Sequence, residues 1–232
     1  MPKLHYVLQG IKSEQAKKNS PQQKRLPVTP TILHKIHQVL IRNPSNFDNI
    51  MLWSAFLLCF FGFLRSGEIT IPDASSYDPS VHLNFNDIAA DNPTSPKILQ
   101  IRIKASKTDP FRQGVNIHIG RTDNSLCPVS ALLKYLIVRG TAPGLLFHFQ
   151  DSAPLTKSKF TAKFRELLLL AGMDPKHYAG HSFRIGAAST AAAKGMEDSL
   201  IQTLGRWKSS AYLTYVRLPA ENLAALSQRL AA

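Results

Sequence analysis

The sequence predicts a mainly α-helical domain with a small antiparallel β-sheet, an α+β arrangement. Several stretches of about 8 to 16 residues carry helix start and stop signals. Two short apolar–polar alternating runs flank one turn-rich piece, as a hairpin does. The 232 residues are 44% hydrophobic, enough for one good-sized core and too apolar for a disordered chain.

Residues 1–26 hold six Lys or Arg and one Glu, and Leu4, Val7, Leu8 and Ile11 fall at i, i+3, i+4, i+7, which predicts a short amphipathic helix over residues 4–16. The run KKNSPQQKRLP after it reads as a basic linker. Thr29 then caps a helix with Pro30 in its first turn. A second helix, Asp48–Leu64, is apolar on nearly all sides and so is expected to be buried. Its core, Ile50–Leu64, is fifteen residues long, short of the roughly 20 that span a bilayer, and it is internal, unlike a signal peptide. Residues 71–97 are rich in Pro, Asp, Ser and Asn, with Val81, Leu83 and Phe85 alternating as a strand would. Leu99, Ile101 and Ile103, then Val115, Ile117 and Ile119, predict the two arms of the hairpin. Its long tip, Ala105–Gly114, carries Lys107, Asp109 and Pro110. Helices follow at Pro128–Arg139, Thr156–Ala171, His181–Lys194 and Glu197–Leu204, the last with Gly205 as its stop. A final helix after Pro219 places Leu223, Leu226 and Leu230 on one stripe.

The 28 Lys and Arg against 15 Asp and Glu leave a formal charge of +13, a surplus that attracts a polyanion, nucleic acid before an anionic membrane surface. The two cysteines, Cys59 and Cys127, form no C-x-x-C pair, which excludes a disulfide framework or a cysteine zinc knuckle and fits a reducing intracellular compartment.

The stretch GHSFRIGAAS, residues 180–189, sets His181 and Arg184 on one helical face among small residues that allow close approach. Both donate to anionic oxygens, and the Arg fork suits phosphate; taken alone, the pair is also what a surface His and a carboxylate-paired Arg look like. His177 and His181 share the spacing of zinc helices, but Tyr178 stands where the catalytic Glu belongs, no third ligand follows and Gly180 interrupts the helix, so no metal is expected. In FFGFLRSGEIT an apolar run ends at Arg65, with Glu68 placed to orient it; a plain buried ion pair gives the same pattern. Lys107 at the hairpin tip and the run LGRWKSSAYLTYVR, with Trp207, Tyr212 and Tyr215, are unremarkable singly.

Taken in chain order, Arg65 with Glu68, Lys107, His181-x-x-Arg184, Trp207 and Tyr215 resemble the catalytic set of the tyrosine recombinase (phage integrase) family: Arg with an acidic neighbour, hairpin Lys, His-x-x-Arg, His or Trp, and Tyr. The similarity covers about residues 28–218, and GRWKSSAYLTYVR resembles recombinases of eukaryotic mobile elements of the Crypton and DIRS kind. Trp207 precedes Tyr215 by eight residues where many bacterial members show about nine, which keeps Tyr212 as the alternative nucleophile.

The resemblance implies a site-specific DNA recombinase or integrase that cleaves and rejoins DNA through a 3′-phosphotyrosine, with no cofactor or metal. Arg65, Lys107, His181, Arg184, Trp207 and Tyr215 would be catalytic and Glu68 supporting. It implies residues 28–218 as the catalytic domain, 1–27 as the remnant of a core-binding domain, and 219–232 as a helix docking on its own core or on a neighbour in a DNA-bound tetramer. Lys17, Lys18, Lys24, Arg25, Lys104 and Arg112 would grip double-stranded DNA through its phosphates. A eukaryotic origin would place the protein in the nucleus, a phage or bacterial one in the cytoplasm. A type IB topoisomerase-like activity and a domesticated, non-catalytic DNA-binding module are the competing expectations.

Overall fold

The computed structural model describes residues 25–106, 109, 111–218, 224 and 228. The expected helix at 4–16 and the one after Pro219 therefore lie outside the described residues, apart from 224 and 228. Within residues 25–218, among the described residues, the α-helices are in order α1 (Pro30–Leu40), α2 (Phe47–Phe61), α3 (Pro128–Arg139), α4 (Lys157–Leu170), α5 (His181–Ala193) and α6 (Asp198–Gly205). Strands β1 (Ile88–Ala90), β2 (Ile98–Ile103) and β3 (Val115–Gly120) form one antiparallel sheet in that order.

The helices start where side chains can cap them. Thr29, Asn46 and Thr156 accept from the third backbone N–H that follows, and Pro30 and Pro128 open α1 and α3. Helix α2 buries ten of its fifteen residues, so its uniform apolarity serves the core. It packs against α1, α3 and α5. Phe56 meets Phe160, Phe164 and Phe183 at ring-centroid distances of 5.2–5.6 Å, joining α2, α4 and α5. No helix among the described residues is long and apolar enough to cross a membrane.

In the hairpin, Leu99 pairs with Ile119 and Ile101 with Ile117, all four facing the core. The alternation at Val81–Phe85 does not make a strand. Asp78 accepts from the Ser80 N–H and Asp87 from the Asn84 N–H, which curls the chain into turns and a 3₁₀ segment at Phe85–Asp87. The third strand forms just after it, at Ile88–Ala90.

The small residues of α5 are explained by chain entry. The Leu26 N–H donates to the His177 carbonyl and the Val28 N–H to the Ser182 carbonyl, both at 2.9 Å. This lays the backbone of Val28 on Gly186, where a Cβ would overlap the Val28 carbonyl. Gly180 is packed on Ser66 in the same way, which seats the N-terminus of α5 on the turn that follows Arg65.

Four helices end alike, in the αL stop that closes a 6→1 and a 5→2 hydrogen bond. After α4 and α5 the left-handed residue is Gly172 and Gly195. After α2 and α6 it is Phe63 and Arg206, at φ 49° and 57°. Gly205 is thus the last residue of α6 and Arg206 is the stop. The glycine is required at 205 because a Cβ there would run into the Trp207 ring.

Candidate active site

Strained backbone at Phe63 turns the chain out of α2 and delivers Arg65 to the start of a 3₁₀ turn, Ser66–Glu68. The Glu68 carboxylate, with a side chain 3% exposed, accepts from the Arg65 backbone N–H at 2.9 Å and from Arg65 Nη1 at 3.1 Å. It also accepts from Arg206 Nη2 at 2.8 Å. Arg65 keeps its remaining face toward an open cleft of about 740 Å³, lined also by His181, Lys157 and Arg112. The hairpin residues Ala105, Ser106 and Asp109 form its other wall. Lys107 itself lies outside the described residues; Ser106 and Asp109, the nearest described residues before and after it, border the cleft that Arg65 and His181 share.

His181 and Arg184 do share a face, at different depths. His181 is exposed at the rim and Arg184 is fully buried. The Arg184 fork donates from Nη1 to the Phe63 carbonyl at 2.6 Å and from Nη2 to the Gly205 carbonyl. These bonds tie α5 to the ends of α2 and α6. They use two of the five N–H groups of the guanidinium, and Nε has no partner. Burial, then the charges of Arg65 and Arg206, pull the Arg184 pKa down to about 10, so it remains a cation at neutral pH.

Over this guanidinium lie two rings, Trp207 with its centroid at 4.4 Å and Tyr215 at 5.6 Å. The Tyr215 ring is 4.9 Å from the rings of both His181 and Trp207. The Trp207 Nε1 is buried and unpartnered. Tyr212 sits farther off, 6.4 Å from Trp207, and its pKa is raised by Asp198, through a hydrogen bond first, then by burial. The geometry therefore separates the two tyrosines, and Tyr215 is the one inside the cluster. Its segment is clamped by a residue that sequence reasoning missed: Ser189 Oγ donates to the Tyr215 carbonyl at 3.2 Å and accepts from the Arg217 N–H at 2.9 Å.

Arg206 was also missed. Its Nη1 donates to the Gly62 carbonyl at 3.1 Å while Nη2 holds Glu68, and it stands nine residues before Tyr215. That spacing was the available signal; the adjacent Trp207 drew it away. The His181 pKa is lowered by partial burial first, then by Arg184, Arg65 and Arg217.

The expected DNA-gripping residues divide. Lys17, Lys18 and Lys24 lie outside the described residues. Arg112 is exposed on the cleft wall, and Arg25 donates to the Lys176 carbonyl at 3.0 Å. Lys104 is engaged otherwise: its Nζ is 2.6 Å from Asp87 and 2.7 Å from the Pro79 carbonyl, so it braces the hairpin on the preceding turn. His177 precedes α5 rather than sharing it, and the described residues contain no group of three His, Cys, Asp or Glu fit to hold a metal.

The phage integrase family model matches residues 97–218, just over half of the chain. The fold is similar to that of XerH site-specific recombinase bound to a palindromic difH substrate in a post-cleavage complex, with a TM-score of 0.65 and 16% identity over 92% of this chain and 56% of that one. It is also similar to XerA recombinase, with a TM-score of 0.60 and 15% identity over 91% and 66% of the two chains. A lambda integrase dimer bound to a COC′ core site gives a TM-score of 0.55 and 18% identity over 85% and 49%. The chain thus spans about half to two thirds of the length of these proteins. No curated protein sequence matches it. The matched segment runs from the hairpin through His181, Arg184 and Trp207 to Tyr215, and on that match this chain belongs to the phage integrase family.

Proposed function

We propose that the chain is the catalytic part of a site-specific DNA recombinase or integrase, a strand transferase that breaks and rejoins duplex DNA through a 3′-phosphotyrosine. The observation that carries this reading is the placement of Tyr215 against His181, Trp207 and Arg184 beside a cleft that Arg65 enters. Segments far apart in sequence supply these groups, and they bring the guanidinium groups of Arg65 and Arg184 to one side of the same tyrosine.

In the proposed step the Tyr215 phenol oxygen attacks the scissile phosphorus. A new O–P bond forms, the bond to the 5′-oxygen breaks, and the phenol proton passes to His181, which is neutral at pH 7. Lys107 protonates the leaving 5′-oxygen. Charge that builds on the non-bridging oxygens meets Arg65 and the free N–H groups of Arg184 and Trp207. Each of these last two donors, buried and unpaired, carries a desolvation cost of about 1–3 kcal/mol that a phosphate oxygen would relieve. Attack by the freed 5′-hydroxyl reverses the step and releases the tyrosine, with no external energy source. Because Tyr215 and Trp207 lie over Arg184, seating a phosphate on that guanidinium requires both rings to shift.

Double-stranded DNA is the proposed partner, and assembly of several copies on it fits a family whose similar structures include a DNA-bound dimer. A duplex nicked just past the cleavage point traps the covalent state, because the short cleaved strand diffuses away. The chain is expected to form a 3′ adduct that survives denaturation, maps to Tyr215, is lost in Tyr215→Phe and persists in Tyr212→Phe. Salt-sensitive binding without an adduct would instead favour a domesticated DNA-binding module. Relaxation of supercoiled DNA without strand exchange would favour the topoisomerase-like reading.

A further inference from the structure

We propose that Arg206 is a positioning residue for the cleavage site, occupying one oxygen of Glu68 so that Glu68 orients Arg65 without cancelling its charge. This inference rests on the strand-transfer reading above. Three observations carry it.

The first is strain. Where α4 and α5 end, the left-handed stop is glycine, the residue that adopts it without steric cost. At the end of α6 the same stop is an arginine at φ 57°. Helix termination alone therefore does not account for residue 206; a side chain is wanted there.

The second is where that side chain goes. It is 15% exposed, and both terminal nitrogens are committed, Nη1 to the Gly62 carbonyl at 3.1 Å and Nη2 to Glu68 Oε2 at 2.8 Å. Its remaining surface borders a neighbouring hollow under the hairpin tip, beside Gln113 and Lys208, and Arg206 does not itself line the cleft that Arg65 enters. Arg206 thus acts through Glu68 rather than on the phosphate.

The third is the charge count. A lone Arg65–Glu68 pair is neutral, and a neutral pair has little pull on a phosphodiester. With Arg206 on the second carboxylate oxygen, the group of two guanidinium ions around the buried carboxylate keeps a net positive charge. Arg206 also fixes the peptide that carries Trp207, so the tryptophan loop and the Arg65 turn are braced as one piece.

Arg206→Gly is the informative variant, because glycine suits the backbone at this position. If residue 206 only stops a helix, the substitution is neutral or stabilising. On our proposal the variant binds duplex DNA within about 3-fold of the parent, yet forms the covalent adduct about 100-fold more slowly, the scale on which a misplaced catalytic group acts. Arg206→Lys, which retains the charge and can reach Glu68, recovers the rate to within about 10-fold of the parent. Adding Glu68→Gln to Arg206→Gly causes no further loss, since the two residues act as one unit. An adduct rate for Arg206→Gly within 2-fold of the parent overturns the proposal, as does a double variant that loses the product of the two single effects. If Arg206→Gly does not fold, Arg206→Gln takes its place, because it keeps a donor for Glu68 and removes the charge.

A second measurement needs no cleavage and separates failure of this inference from failure of the proposed function. Phenylglyoxal labelling of Arg65, mapped by peptide mass spectrometry, is run with and without inorganic phosphate. Phosphate is expected to protect Arg65 in the parent and in Arg206→Lys, and not in Arg206→Gly. Equal protection in all three, or none in any, overturns the assignment whether or not the parent forms an adduct.

Discussion

His181 shows how the environment selects one role for a side chain with several. Its ring is exposed toward the cleft and covered on the other side by Tyr215, and partial burial with three nearby guanidinium groups disfavours its charged form. The pKa consequently lies below the ordinary 6.5, and the ring is a free base at pH 7. Adduct formation should fall toward acid pH as the ring takes up a proton, with the midpoint of that acid limb below 6.5. In His181→Gln the maximum rate drops by about 100-fold or more and the acid limb assigned to this residue disappears; single-turnover rates across pH 5–8 check this. The same shift bears on folding: the native state resists protonating His181, so its contribution to stability is lost as pH falls below 6.5. The pairing of His181 with Arg184 was legible from three-residue helical spacing. Their difference in depth was not, because it depends on which elements press on α5.

At the scale of elements, helix positions followed from local chemistry. Thr29 with Pro30, and Pro128 through Arg139, fixed α1 and α3 because caps and proline act within a single turn. Errors arose where a local signal had a non-local competitor. The alternation at Val81–Phe85 gave way to carboxylates that hold turns, and Gly205 looked like a helix stop although its task is to admit the Trp207 ring. Gly186 tests the same kind of contact. Its hydrogen faces the backbone of Val28, which cannot yield as a flexible side chain can. Gly186→Ala is expected to destabilise the chain by about 1–3 kcal/mol, lowering Tm by roughly 3–10 °C at this size, as thermal unfolding would show. A Tm unchanged within about 1 °C would mean that α5 and the entering chain separate freely.

For the whole molecule, charge and topology act together. The +13 surplus is a property of the entire sequence, whereas the site needs only a few of those cations at fixed positions. If about 6–10 phosphates are contacted, duplex affinity should fall on the order of 1,000-fold between 50 and 200 mM salt, and fluorescence anisotropy titrations measure that slope. Arg112→Ala should weaken binding of all sequences alike and make the slope shallower by about one unit. A slope near zero would remove the polyanion reading of the net charge. Lys104→Ala should leave the slope nearly unchanged, since its ammonium is already paired with Asp87 inside the fold.

The sequence by itself determined the helical class and the hairpin, and it named Arg65, His181, Arg184, Trp207 and Tyr215 as candidate site residues. Each is encoded within a turn or two of chain, or in the order of motifs along it. Tertiary structure alone decided that Tyr215 rather than Tyr212 enters the cluster, that Arg184 is buried under two rings, and that Arg206 shares Glu68 with Arg65. Those outcomes depend on the ends of α2 and α6 meeting the face of α5. Residues 62 and 206 touch there across 144 positions, and no periodicity or spacing reports a contact of that range.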